Sequence, residues 1–136
     1  MFLTERDLVN LASDFGRALR PGDIVYLLGD LGAGKTTFVR ALLKSLGVIG
    51  LIKSPTYTLI ENYCINNMNF SHLDLYRLND PSELENIGIS DLVLNKNILL
   101  IEWPHQGRGF VPDASYILEL SHHPSDPNLR VLKHVK

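Results

Sequence analysis

Apolar positions along the chain change their period several times, and each change marks an element. Leu8, Leu11, Ala12, Phe15 and Leu19 recur at helical spacing and predict an amphipathic helix. Thr4-Glu5-Arg6-Asp7 supplies its start, with Thr4 as cap and Asp7 in the favoured first turn, and Arg20-Pro21-Gly22 ends it. Ile24-Val25-Tyr26-Leu27-Leu28 is a continuous apolar run with β-branched and aromatic members, which predicts a strand. Helical periodicity returns from Thr36 to Leu46, with Gly47 as the stop. Lys53 to Ile60 is rich in β formers and reads as extended; Asn66-Asn67, lying between it and Phe70 to Tyr76, predicts a hairpin. Asn79-Asp80-Pro81-Ser82 resembles a helix entry, with Gly88 as a stop. Ile98 to Ile101 carries the signature of a strand buried on both faces. Tyr116 to Ser121 alternates weakly and predicts a strand; Arg130 to Val135 predicts another, at the edge. Together these elements give an α/β domain with a mostly parallel central sheet and some antiparallel strands.

Composition narrows this picture in a few places. The chain has 136 residues, of which 45% are apolar, enough for one domain (1–136) with a real core. A net charge of −2 argues against a domain that grips nucleic acid, DNA included, on its own. A single cysteine, Cys64, excludes an internal disulfide and a multi-cysteine zinc site. No apolar run approaches a membrane span and Met1-Phe2-Leu3-Thr4-Glu5 lacks signal-peptide character, so a cytoplasmic protein is expected.

The chemistry is concentrated between the first strand and the helix after it. Gly29, four residues, then Gly34-Lys35-Thr36 is the spacing of a phosphate-binding P-loop. Phosphate oxygens must be met by several backbone N–H groups at once, which requires glycines that reach unusual dihedrals; Gly29, Gly32 and Gly34 supply them. The following helix directs its positive end at the anion. Lys35 is expected to reach the β/γ-phosphates and the Thr36 hydroxyl to bind Mg²⁺. The fold expectation is therefore a P-loop NTPase-like three-layer sandwich.

A P-loop needs an acid at the end of a neighbouring strand to serve the metal. Glu102 follows Ile98 to Ile101 and is expected at the carboxyl edge of the sheet; Asp74 is a second candidate. Guanine-specific P-loop proteins carry N-K-x-D. The nearest string, Asn95-Lys96-Asn97-Ile98, lacks the aspartate, which favours ATP.

Four strings in order resemble the TsaE (YjeE) family: Gly29-Asp30-Leu31-Gly32-Ala33-Gly34-Lys35-Thr36-Thr37, Ser54-Pro55-Thr56-Tyr57-Thr58-Leu59, His72-Leu73-Asp74-Leu75-Tyr76-Arg77-Leu78 and Ile101-Glu102-Trp103-Pro104. The resemblance runs from about Thr4 to Arg130. It implies an ATPase required to make N6-threonylcarbamoyladenosine at position 37 of tRNAs that read codons starting with A. TsaD and TsaB are the implied partners, and tRNA is reached only through the complex. It also implies that Asp30, Leu31, Gly32, Ala33, Gly34, Lys35, Thr36 and Thr37 contact the nucleotide, with Thr56 in a switch segment. Thr36 and Glu102 are the implied Mg²⁺ holders, and Asp74, with Lys35, the implied catalytic pair. Arg130 and Glu5 are carried over as further nucleotide contacts, although Leu129-Arg130 stands where the family often has Gly-Arg. His105 likewise stands where an acid is common.

Two other functions compete. A small P-loop metabolite or nucleotide kinase needs a second pocket and a lid with several arginines; after the P-loop helix the arginines are Arg77, Arg108 and Arg130, widely scattered. A nucleotide-sensing adaptor would bind ATP without useful turnover. An ATPase with no evident internal arginine finger is expected to turn over slowly alone and to answer to its partners.

Overall fold

The computed structural model describes residues 1–49, 52 and 59–136. A short strand, β1 (Phe2–Leu3), leads into α1 (Glu5–Ala18). The Thr4 hydroxyl accepts from the Asp7 amide at 3.1 Å and the Asp7 carboxylate accepts from the Thr4 amide at 3.0 Å, a reciprocal capping box. Then follow β2 (Ile24–Leu28), α2 (Lys35–Ser45), the hairpin β3 (Ile60–Ile65) and β4 (Met68–Asp74), and two short helices, α3 (Glu83–Asn86) and α4 (Ile89–Leu94). β5 (Ile98–Glu102), a 3-10 turn (Pro104–Gly107), β6 (Tyr116–His122) and β7 (Arg130–His134) complete the order.

The seven strands among the described residues form one sheet in the order β1-β7-β6-β2-β5-β4-β3. β6, β2, β5 and β4 are mutually parallel, and the outer pairs are antiparallel. Alternation within the buried strands explains the layers. Val25, Leu27, Ile98 and Leu100 face α1 and α2, where they join Leu8, Ala12, Phe38 and Leu42. Ile24, Leu99 and Ile101 face the other way, onto Leu84 and Ile89 of the short helices. The result is the expected three-layer α/β sandwich. α1 and α2 approach closely because Gly16 has no side chain; a Cβ there would lie 2.9 Å from Cγ of Leu42.

The hairpin turn falls on Asn66-Asn67, both with positive φ (50° and 64°), the conformation that a tight type I′ turn demands. Three details differ from the sequence reading. The second hairpin strand starts at Met68 and ends at Asp74 rather than running to Tyr76. The helix entered at Ser82 stops before Gly88 as expected, but a second helix, α4, which the sequence reading lacks, starts from Gly88 in the left-handed region. β7 is covered by β1, a two-residue strand too short to show any period, so β7 is not the edge. The extended reading of 53–58 lies outside the described residues. No helix among the described residues is long and apolar enough to cross a membrane.

Candidate functional site

The P-loop leaves β2 at the carboxyl edge of the sheet, between the ends of β5 and β6. Gly29 takes φ +141°, and a Cβ there would fall 2.1 Å from the backbone oxygen of Leu120 on β6. Only glycine passes that point. Gly32 (φ +76°) and Gly34 (φ +107°) are also in the left-handed region. Gly34 is the N-cap of α2, offers no capping side chain, and is followed by a first turn without acids. α1, by contrast, is capped by Thr4 and carries Glu5 and Asp7 in its first turn. One helix thus neutralises its own positive end, and the other leaves its amides and dipole for an anion.

Lys35, only 4% exposed, donates from Nζ to the Gly29 carbonyl and lies 3.8 Å above the Trp103 ring. Its pKa is lowered, first because burial disfavours the ammonium; the charges of Glu102, Asp74 and Asp30 oppose that shift. Trp103 adopts φ +56°, rare for a bulky residue, and also packs against Tyr76 with centroids 5.0 Å apart.

The two expected acids end adjacent parallel strands in register, Asp74 opposite Glu102. Glu102 is 3% exposed. Its carboxylate accepts from the Thr36 hydroxyl at 3.2 and 3.4 Å, and Oε2 lies 2.7 Å from Nε2 of His72. Asp74 Oδ1 accepts from the Tyr76 amide at 3.1 Å. Burial raises the Asp74 pKa and the negative charge of Glu102 adds to the rise, while the Tyr76 N–H opposes it. A hydroxyl beside a carboxylate is an oxygen-only donor pair, of the kind a hard divalent cation takes.

A cavity of about 590 Å³ opens onto these groups. One set of its walls is Gly32, Gly34, Lys35, Thr36, Thr37, Asp74 and Glu102. The other is Glu5 and Leu8 from the start of α1 with Pro127, Asn128 and Arg130 from the β6–β7 turn. Leu31 lines it as well, with 60% of its surface exposed. Glu5 and Arg130, distant in sequence, therefore share a wall, because β1 pairs with β7 at Leu3 and Arg130. Asp30 lines a smaller neighbouring cavity with Lys35, Trp103 and His105, and Ala33 is buried beneath the loop. Thr56 lies outside the described residues. Arg77 and Arg130, scattered in sequence, both line the larger cavity. The sequence reading missed the position of His72; its placement two residues before Asp74 in a strand, hence on the same face, was the available signal.

A glycine-shaped loop between a central parallel strand and an uncapped helix, facing two strand-end acids, defines a P-loop protein of the α/β class. The comparisons with known proteins narrow the class. The family model described as threonylcarbamoyl adenosine biosynthesis protein TsaE matches residues 3–130, and the chain belongs to that family. It is 46% identical over 109 residues to the tRNA threonylcarbamoyladenosine biosynthesis protein TsaE of Haemophilus influenzae, covering 80% of this chain and 69% of that one. It is 44% identical over 101 residues to the protein of the same name from Rickettsia conorii, covering 74% of this chain and 57% of that longer relative. Among solved structures, Bacillus subtilis YdiB shares the fold with a TM-score of 0.79 at 23% identity, over 98% of this chain and 83% of that one.

Proposed function

We propose that residues 1–136 form a single ATPase domain that binds and hydrolyses Mg²⁺-ATP and is required for threonylcarbamoylation of adenosine 37 in tRNAs reading codons that start with A. It acts in the cytoplasm with TsaD and TsaB. The observation that carries the reading is the convergence of an uncapped helix N-terminus, Lys35, and the Thr36–Glu102 pair on one cavity of nucleotide size. Family membership supplies the tRNA context.

The residues divide the work by position. Amides of Gly32 to Thr37 meet phosphate oxygens. Lys35 exchanges the Gly29 carbonyl for β- and γ-oxygens. Thr36 and Glu102 hold the cation, which when bound neutralises charge building up on the phosphates. Asp74 orients the attacking water; a carboxylate raised by burial is a better proton acceptor than an ordinary one. Leu8, Glu5, Asn128 and Arg130 wall the base and ribose.

ATP is favoured over GTP for a geometric reason. Asn95-Lys96-Asn97 precedes β5, at the opposite edge of the sheet from the P-loop, and the Asn97 amide donates to Ser71 at 3.1 Å inside the core. That string is out of reach of a base bound at the loop. With a net charge of −2 the chain gains little from counterion release, so tRNA is engaged through the complex.

Phosphate release measured with ATP and with GTP, in the presence and absence of TsaD and TsaB, tests the reading. Slow ATP turnover alone, changed by the partners, is the expected result. Binding of ATP without turnover under every combination overturns the ATPase and leaves a nucleotide-sensing adaptor. Turnover on addition of a small phosphate acceptor, with no response to the partners, points to a kinase.

A further inference from the structure

We infer that His72 is a positioning residue: its Nε2–H fixes the Glu102 carboxylate in the orientation that receives the divalent cation. The inference rests on the metal reading of Glu102 given above and adds a residue to it.

Three observations carry it. First, His72 and Glu102 are 1% and 3% exposed and 2.7 Å apart, so the contact is short and shut off from water. A buried carboxylate is expensive unless its lone pairs are occupied. Among the described residues its side-chain hydrogen-bond partners are Thr36 and His72. Thr36 is itself an expected cation holder, so its hydroxyl oxygen is shared between two tasks.

Second, the tautomer follows from the surroundings. His72 Nδ1 is buried with no hydrogen-bond partner among the described residues. A proton there would be a donor with nothing to receive it, a costlier defect than an unused lone pair. The proton therefore sits on Nε2 and points at Glu102.

Third, the placement is built into the sheet. His72 pairs with Leu100 and Asp74 with Glu102, so the imidazole reaches diagonally from β4 to the end of β5. A side chain that only filled this part of the core would be apolar like Phe70, two residues earlier on the same face of β4. Without the imidazole, the Thr36 hydroxyl is the hydrogen-bond partner left to Glu102 among the described residues, and a single contact does not fix the rotation of a carboxylate.

The test is ADP binding by calorimetry across a Mg²⁺ series and in EDTA, which needs no turnover. For His72→Leu, with a cooperative melt as the folding check, the Mg²⁺ midpoint is expected to rise roughly 10–100-fold, as when an outer partner of a metal ligand is lost. Affinity in EDTA stays at the wild-type value. His72→Gln, whose terminal amide donates from about where Nε2 sits, restores the midpoint. A wild-type midpoint in folded His72→Leu overturns the inference while leaving the metal reading standing. A wild-type chain whose ADP affinity ignores Mg²⁺ overturns the metal reading, and this inference falls with it. Should His72→Leu fail to fold, ¹⁵N-histidine spectra of the wild-type chain decide. An Nε2–H tautomer whose resonance moves on addition of Mg²⁺-ADP, and not of ADP alone, supports the positioning role. An Nδ1–H tautomer overturns it.

Discussion

β4 and β5 lie side by side, run parallel, and deliver their last residues, Asp74 and Glu102, to the same level of the same sheet edge. Position alone does not separate them. Their partners do. Glu102 is gripped by side chains from two other elements, Thr36 of α2 and His72 of β4. Asp74 accepts a bond from an amide two residues further along its own chain, where β4 gives way to a turn. β5 is buried along its whole length, whereas β4 begins half-buried at Met68 and exposed at Asn69. A carboxylate clamped on two sides suits a task defined by fixed geometry. One tied to a turn, and raised in pKa by burial, suits a task that includes a proton.

The largest effect is expected at the cation both acids face. Lys35→Ala removes two charge-assisted contacts to phosphate, worth about 1.5–3 kcal/mol each, and should weaken ATP binding roughly 10²–10⁴-fold. Because Lys35 lines the cavity and belongs to neither hydrophobic cluster, the variant should still melt cooperatively. Loss of a cooperative melt would mean that the lysine, not the acids, organises this edge.

Next comes the division between the acids. Glu102→Gln should raise the Mg²⁺ concentration needed for nucleotide binding by at least the roughly 10–100-fold that follows loss of a mere outer partner. Asp74→Asn should leave ATP affinity and its Mg²⁺ dependence unchanged while lowering hydrolysis about 10²-fold or more. Titrating both variants across Mg²⁺ and measuring phosphate release breaks the comparison if the defects are exchanged.

The smallest effect is one of stability. A carboxyl whose folded pKa lies above its unfolded value binds more protons when folded, so its contribution falls as pH rises through the window above the ordinary aspartate value. Asp74→Asn should therefore raise the melting temperature at neutral pH by a few degrees at most, about the shift of 1 kcal/mol. The gain should vanish below about pH 4, where the unfolded aspartate is protonated too. A gain that persists in acid would place its origin outside the Asp74 charge.

How much of this was legible depended on whether an element carries its own signal. β2, α2 and the Thr4–Asp7 cap were readable because a run of five apolar residues, a glycine spacing and a capping pair are local facts. Glu102 was readable because it ends the most uniformly apolar strand. β1 was not, since two residues have no period and their strand exists only by pairing with β7. His72 was quoted within a string but its task was hidden, because the distance that matters runs to a residue 30 positions away. The place of Arg77 on the cavity wall was hidden for the same reason, whereas Arg130 had been carried over as a nucleotide contact.

The pairing of β2 has a consequence for how the chain reaches this form. Both of its neighbours, β5 and β6, come more than sixty residues later in sequence, and β1 waits longer still for β7. The P-loop follows β2 early, yet Gly29 is seated against the backbone of Leu120. During synthesis, then, the first strand and its loop emerge with no sheet to join and an apolar run uncovered. Closing such long loops is slow, and the waiting species exposes strand edges to other chains. Assembly must wait for β6 and β7, which carry little of the chemistry, and a lesion in either should appear first as poor recovery of soluble protein, before any defect in the loop itself can be measured.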